Sequence, residues 1–377
     1  MMALACEHFY QLLADRRLDF YAGVPDSLLK SFCAYVTDHA APDRHVIAAN
    51  EGAAVALACG YHLATGNAGV VYMQNSGLGN AINPLTSLVD PEVYSVPVLL
   101  LIGWRGEPGV KDEPQHVKQG RITPATLDAL EIPWWILPPQ DEAVVSVMDE
   151  AVSRMRDTSG PVALLVRKAT FSDYALSSPG PCPELALREE ALEAIVGALG
   201  SRDVVVSTTG KASRELFEIR ERTGQGHGAD FLTVGSMGHC SQVAMGIALG
   251  NADRRVVCID GDGAVIMHMG ALAIMGSRAL ENLKHIVLNN GAHESVGGQP
   301  TVGNEIDIPG IARACGYRRT RCIASKEEIG AAVTALMREP GPSLLEIKIG
   351  IGAREDLGRP TRTPLENKQD FMEFLDD

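Results

Sequence analysis

Short unbroken apolar runs recur along this chain of 377 residues, each followed by a longer stretch with helical spacing. In the first half the runs fall at 46–48, 69–73, 96–102, 134–137 and 162–166, with a further short strand expected before Gly23-Val24-Pro25. In the second half they fall at 204–207, 231–234, 255–260, 285–289 and 343–347. Continuous rather than alternating apolarity marks strands buried on both faces, and strands separated by helices pair in parallel. The pattern predicts an α/β chain of two doubly wound parallel-sheet domains of similar size.

The two halves meet in a stretch rich in Ser, Pro and Gly, Ser177-Ser178-Pro179-Gly180-Pro181-Cys182-Pro183. That composition predicts a first domain at 1–169, a linker at 170–188 and a second domain at 189–349. A polar tail follows at 350–377; its arginines Arg354, Arg359 and Arg362 leave two readings open, a solvated extension or an ordered lid.

Composition narrows the functional classes. A net charge of −14 argues against nonspecific binding to nucleic acid or anionic membranes, which needs clustered cations. The eight cysteines are scattered without a CxxC pair and sit mostly in apolar stretches, so buried reduced thiols are expected. No apolar run reaches the roughly 20 residues of a membrane span, and the first residues lack the basic start and apolar core of a signal peptide. The expected setting is the cytoplasm.

The chemistry concentrates at strand ends. Asp260-Gly261-Asp262-Gly263 closes one predicted strand, residues 264–279 read as a helix, and Asn289-Asn290-Gly291 closes the next strand. Asp262 and Asn290 therefore stand at the carboxyl ends of neighbouring parallel strands, where open α/β sheets bind ligands. A carboxylate and a carboxamide are hard oxygen ligands for magnesium, which takes its remaining ligands from phosphate and water. Gly261 and Gly263 would let backbone approach a diphosphate. Ordinary turn chemistry is the alternative for Asp-Gly and Asn-Gly pairs.

Other loops face the same way. Glu51 opens a helix of small residues, where a carboxylate either complements the helix dipole or faces a cleft. Gly23-Val24-Pro25 and the loop from Asn75 through Ser76 and Gly77 to Asn80 follow strands of the first half. The latter is a poor dinucleotide fingerprint, because its last small residue is replaced by Ile82. Thr208-Thr209-Gly210-Lys211 precedes a helix and suits an anion, but Val205 and Ala212 break a Walker A reading. Val234-Gly235-Ser236-Met237-Gly238 precedes another small-residue helix.

Taken together these segments resemble the thiamine-diphosphate-dependent decarboxylase family, in its short form without a middle domain. The resemblance implies the thiamine-diphosphate-binding fold, with 1–169 as the pyrimidine-binding domain and 189–349 as the diphosphate-binding domain. It implies thiamine diphosphate and Mg2+ as cofactors. Glu51 would exchange a proton with the pyrimidine, Gly235 would accept from its amino group, and Met237 would wedge the cofactor into a bent conformation. Asp262, Asn290 and the carbonyl of Ala292 would hold the metal, with Asn289 an open alternative to Asn290. Gly23, Val24, Pro25, Ser76, Gly77, Thr209, Gly210, Lys211, Gly261, Gly263 and Ala264 complete the expected cofactor contacts. The family's sites join domains of two subunits, so a homodimer or higher homo-oligomer with intersubunit active sites is implied.

The same resemblance points to a short anionic 2-keto acid. Phosphonopyruvate, in phosphonate biosynthesis, is favoured by segments 106–116, 207–217, 291–299 and 359–368, with sulfopyruvate as the alternative. Arg105, Lys111, His116, Lys118 and Arg121 lie within 104–121, read as one long loop that is either a binding loop or a solvated surface. Asp26, Ser27, Lys111 and His116 are the substrate candidates; His116 and His293 join Glu51 as catalytic candidates, with His239 a further acid–base candidate. Lys211 and Arg214 could serve either the diphosphate or the helix surface. A catalytically silent cofactor-binding subunit is a rival reading, opposed by the joint presence of Glu51, Met237, Asp262 and Asn290. A dinucleotide oxidoreductase fails on the glycine fingerprint.

Overall fold

The computed structural model describes residues 3–177 and 184–376. Within it the chain divides into two compact units, Met1–Ser178 with Ser295–Gln299, and Pro179–Glu294 with Pro300–Asp377. The short segment Ser295–Gln299 thus joins the first unit although it lies deep in the second half of the sequence.

The first unit carries strands β1 (Tyr21–Gly23), β2 (His45–Ile47), β3 (Gly69–Gln74), β4 (Val98–Gly103), β5 (Trp134–Ile136) and β6 (Pro161–Val166). They form one parallel sheet in the order β2-β1-β3-β4-β6-β5. Alternate residues of β3 enter opposite cores: Val70 and Tyr72 pack on one face, Val71 and Met73 on the other. This two-sided burial explains the unbroken apolar run. The strand order reverses between β1 and β3, where Gly23 pairs with Tyr72, so the loops after these strands open at a switch point.

The second unit repeats the design with β7 (Val204–Ser207), β8 (Asp230–Leu232), β9 (Val256–Gly261), β10 (Leu283–Asn289), β11 (Arg319–Ile323) and β12 (Ser343–Lys348). The order is β11-β12-β10-β9-β7-β8, again all parallel. Asp260 pairs with Val287 and Gly261 with Leu288, so β9 and β10 end nearly level.

Several expectations are corrected. Residues 264–279 are two helices, Asp262–Met267 and Gly270–Arg278, broken at His268-Met269. The long loop expected at 104–121 ends at Glu113, because Pro114 starts a helix, Pro114–Ala129, that carries His116, Lys118 and Arg121. β11 escaped the reading because it is an edge strand whose arginines are largely exposed. The linker expected at 170–188 is partly ordered: Leu4 and Phe171 form a parallel bridge, and the helix Arg188–Ala198 begins at its far end. Its centre, 178–183, lies outside the described residues.

The tail is an ordered segment held to the second unit. Arg354 pairs with Glu189 and Glu218, and Arg214 donates to the carbonyls of Leu357 and Gly358. Arg214 therefore serves the tail. The tail ends in a helix, Pro364–Asp376, whose Phe371 packs against Phe231. Asn367 donates to the carbonyl of Asp230 at 2.7 Å and accepts from the amide of Leu232 at 3.0 Å, so one carboxamide covers the open edge of β8. Among the described residues no helix is long and apolar enough to cross a membrane.

Candidate active site

In the first unit the site residues gather on the loops leaving the carboxyl ends of β1 to β4. Glu51 is the first residue of the helix Glu51–Thr65, but the cap belongs to Asn50, whose side chain accepts from the amide of Ala53 at 2.9 Å. The Glu51 carboxylate is only 5% exposed and turns elsewhere: its Oε2 accepts from Asn80 Nδ2 at 2.7 Å. A Cβ added at Gly77 would stand 2.4 Å from Glu51 Oε1, so only glycine lets the carboxylate lie against that loop. The cap hydrogen bond of this helix is therefore made by a different residue.

The loop after β3 is fixed from below. Buried Asn75 donates to the carbonyl of Arg105 at 2.8 Å and to Thr123 at 2.9 Å, and Gln119 donates to the carbonyl of Asn75 at 2.9 Å. Ser76 is exposed and bonds Gln74.

Next to it, Asp26 is fully buried; its Oδ2 accepts from the amide of Leu28 at 2.7 Å. Its Oδ1 has no hydrogen-bond partner among the described residues. Burial pushes its carboxyl up to about 6, against the lowering effect of the Leu28 amide and Arg105. Arg105 donates to Ser27 at 2.7 Å and holds Asp112 through two nitrogens. His116 is half-buried, and burial together with the Arg105 charge lowers its imidazole to about 4. Of the five cationic candidates, Arg105 and His116 turn inward, whereas Lys111, Lys118 and Arg121 are exposed. A side chain at 121 or 118 on the solvent face of a helix is what a solvated surface looks like.

In the second unit four loops leave the carboxyl ends of β7, β8, β9 and β10 and meet through side chains. Lys211, after the left-handed Gly210, pairs with Glu294 at 2.8 Å. Glu294 also binds buried Arg188 at 2.7 Å and accepts from Asn290 Nδ2 at 3.0 Å. Ser236 holds a left-handed backbone, φ 54°, in the turn that presents Met237. A Cβ added at Gly263 would lie 3.4 Å from Met237 Cε and 3.2 Å from His293 Cε1, which places these three residues together. Burial lowers the His293 imidazole to about 4. His239 is exposed, with its Nδ1 3.2 Å from the carbonyl of Met237 and its ring tilted against His268, centroids 4.4 Å apart.

Asp262 is 2% exposed, accepts from the Thr301 hydroxyl, and is pushed up to about 6 by burial against the pull of that bond and of nearby amides. A buried carboxylate with a raised proton affinity calls for a cation. The two asparagines differ. Asn289 is buried and has both Nδ2 protons in use, donating to Gly303 O and to Glu346 at 2.6 Å each, while its Oδ1 accepts from Gly291 N at 2.9 Å. Asn290 is only half-buried; its Oδ1 accepts from Ala292 N at 3.1 Å, and each of the two carboxamide oxygens keeps a second lone pair. The donor set of Asp262, Asn290 and a nearby carbonyl fits a hard divalent ion, and the Gly261 and Gly263 backbone fits an adjoining anion.

Three residues of this arrangement, Asn80, Glu294 and Thr301, carry no sequence signal of their own. They are ordinary polar side chains whose partners lie in other loops.

The family described as thiamine pyrophosphate enzyme, N-terminal TPP binding domain, matches residues 5–131, and the corresponding C-terminal TPP binding domain matches 208–347. The phosphonopyruvate decarboxylase of Streptomyces viridochromogenes is 37% identical over 369 residues, covering 94% of this chain and 90% of that protein. That of Streptomyces hygroscopicus is 36% identical, covering 94% and 89%. The sulfopyruvate decarboxylase of Methanosarcina acetivorans is more distant, 25% identical while covering 98% and 97%. The chain belongs to the thiamine-diphosphate-dependent decarboxylase family. It is a carboxy-lyase, with thiamine diphosphate as its cofactor.

Proposed function

We propose that this enzyme converts phosphonopyruvate to phosphonoacetaldehyde and carbon dioxide, using thiamine diphosphate and magnesium. The observation that carries the reading is Glu51: buried, released from capping by Asn50, and held by Asn80 against Gly77. A silent homologue has no use for a carboxylate kept in that way.

Each residue then has a physical task. Asp262, the Asn290 carboxamide oxygen and the Ala292 carbonyl hold magnesium, while Asn289 braces the loop from beneath. Thr209, Gly210, Lys211, Gly261, Gly263 and Ala264 receive the diphosphate, Lys211 exchanging Glu294 for it. Gly235 accepts from the pyrimidine amino group through its carbonyl, and Met237 supports the ring from the strained Ser236 turn. Gly23, Val24, Pro25, Ser76 and Gly77 line the pyrimidine side. Glu51 holds and returns the proton at the pyrimidine nitrogen. Bound thiamine diphosphate supplies the electron sink for the pair released with carbon dioxide.

On the substrate side the bond between the carboxylate and the keto carbon breaks, and that carbon takes a proton. His116 and His293, neutral at pH 7, would handle protons there, and Asp26 would serve the substrate beside them. Arg105, fixed by Ser27 and Asp112, faces the phosphonate, and exposed Lys111 adds charge at the entrance. A cytoplasmic homodimer or higher homo-oligomer is the working form, with assembly bringing the two half-sites onto one cofactor. Among the described residues five buried free thiols are in keeping with a reducing compartment.

The test is direct. Purified protein with thiamine diphosphate and magnesium is incubated with phosphonopyruvate and followed by phosphorus NMR, with sulfopyruvate in parallel through a coupled alcohol dehydrogenase. Phosphonoacetaldehyde should appear with clear preference over the sulfonate product. Equal or faster turnover of sulfopyruvate would overturn the substrate.

A further inference from the structure

Four donors converge on the carboxylate of Asp112. Arg105 grips it through Nε at 2.8 Å and through Nη2, and the backbone amides of Gly106 and Glu113 reach it at 2.8 Å each. Although burial raises this carboxyl, the bonds from Arg105 and from the Gly106 amide hold it below the ordinary carboxylate range. A guanidinium fork and a backbone N–H aimed at one pair of oxygens is an arrangement that recognises an oxyanion. Ser27 accepts from the remaining Arg105 nitrogen, Nη1, at 2.7 Å, and Asp26 precedes Ser27 in the chain.

The donors are anchored from behind. Arg105 N donates to buried Asn75 Oδ1 at 3.2 Å, and Arg105 O accepts from Asn75 Nδ2 at 2.8 Å, so one carboxamide clamps both backbone groups of the arginine. Gly106, φ 70°, packs so closely on the helix Pro114–Ala129 that a Cβ there would stand 1.9 Å from His116 O. A Cβ at Gly120 would in turn stand 1.8 Å from Gly106 O. The acceptor comes instead from the surface. Asp112 follows residues 108–111, all exposed, in a turn closed by Val110 N donating to Glu107 O at 3.0 Å.

Resting on the substrate reading above, we propose that Arg105 Nε and Nη2 and the Gly106 amide form the subsite for the substrate's phosphonate, and that Asp112 is its resident stand-in, displaced when the substrate binds. The charge balance favours a stand-in over a permanent brace. While Asp112 stays, the guanidinium charge is matched and both nitrogens of its fork are taken, which leaves an incoming dianion little to pair with. Once Asp112 swings out with 108–111, the phosphonate gains the fork and the amide together, and Ser27 keeps Nη1 in register. Until then the carboxylate spares a largely buried guanidinium from standing unpaired. Such an exchange weakens binding by the fraction of time the site is closed, and by the same factor for every anion that needs it.

The experiment uses the full chain with thiamine diphosphate and magnesium, as wild type, Asp112→Asn and Asp112→Ala. KM for phosphonopyruvate is measured, and methylphosphonate, an inert probe of the subsite, is titrated into the same proteins by calorimetry. In each variant KM and the methylphosphonate dissociation constant should fall together, on the order of tenfold for a stand-in that holds the site about nine-tenths of the time. Adding Arg105→Lys to Asp112→Ala should remove the gain in methylphosphonate affinity. Values unchanged or raised in both variants would make Asp112 a brace for Arg105 and overturn the proposal. If wild type binds methylphosphonate but does not turn over phosphonopyruvate, the substrate reading fails while the binding comparison still decides the subsite. If the variants do not fold, hydrogen exchange of the wild type decides: saturating methylphosphonate should speed exchange at 109–112, and unchanged or slower exchange there overturns the proposal.

Discussion

Asn80 Nδ2 donates to Glu51 Oε2 at 2.7 Å, a bond between two helices 29 positions apart in sequence. The Glu51 carboxylate is therefore aimed by a neighbouring helix rather than spent on a free amide of its own helix, where Asn50 accepts from Ala53. Asn80→Ala should lower kcat on the order of tenfold, about 1.4 kcal/mol of transition-state stabilisation, with cofactor affinity nearly unchanged. Asn80→Asp should cost more, by placing a like charge beside Glu51. An unaltered kcat in Asn80→Ala would show that the bond does not orient the carboxylate.

Gly303 lies against Asp262 and Asn289. A Cβ there would stand 2.6 Å from Asp262 Oδ2 and 2.9 Å from Asn289 Oδ1. Gly303→Ala should raise the magnesium concentration needed for half-maximal activity by roughly 10–100-fold, the usual cost of disturbing a ligand's supporting shell. Saturating magnesium should restore much of kcat. Titration of activity against magnesium separates this from a general loss of fold, which magnesium would not repair.

Asp26 carries a pH signature. Its carboxyl sits at about 6 in the folded protein, raised from 3.8 by burial, so the folded chain keeps a proton that the unfolded chain has released. Its contribution to stability is full below about pH 4, declines as the pH rises through about 6, and is absent above. Asparagine cannot lose that proton. The Tm of Asp26→Asn minus that of the wild type should therefore grow between pH 4 and pH 7, as read by scanning calorimetry on the apoprotein. A difference that stays flat or shrinks would contradict the burial assigned to this carboxyl.

Arg105 is the inward-facing guanidinium of its loop, held by Ser27 and by both oxygens of Asp112. Arg105→Lys keeps a charge but loses the planar fork that makes those contacts together. KM for phosphonopyruvate should rise by on the order of 10–100-fold while kcat changes less, since a remote anionic group contributes mainly to binding. Lys118→Ala and Arg121→Ala, at exposed positions, should leave both constants near wild type.

Much of this was legible in the chain because buried parallel strands and strand-end loops carry strong local signals. The runs at 69–73 and 255–260 are apolar on both faces, and the structure makes them β3 and β9. Glycines beside Asp262 and Asn290 mark sharp turns at strand ends, which is where an open sheet binds ligands. Edge strand β11 was illegible because Arg319 and Arg321 need no buried face. The helix from Pro114 was missed inside the stretch read as one long loop at 104–121, although proline opens a helix well. Asn80, Thr301 and Glu294 could not be found because their meaning lies in partners contributed by distant loops.

The central claim is that Glu51 works as the proton-exchanging carboxylate of a decarboxylase. Glu51→Gln keeps the shape and the bonding length but removes the charge. Phosphorus NMR of phosphonopyruvate turnover, with thiamine diphosphate binding measured on the same samples by calorimetry, tests it in one experiment. The account predicts cofactor binding within a few-fold of wild type and phosphonoacetaldehyde formation slowed by roughly 10²–10⁴-fold. Wild-type turnover by Glu51→Gln would contradict it.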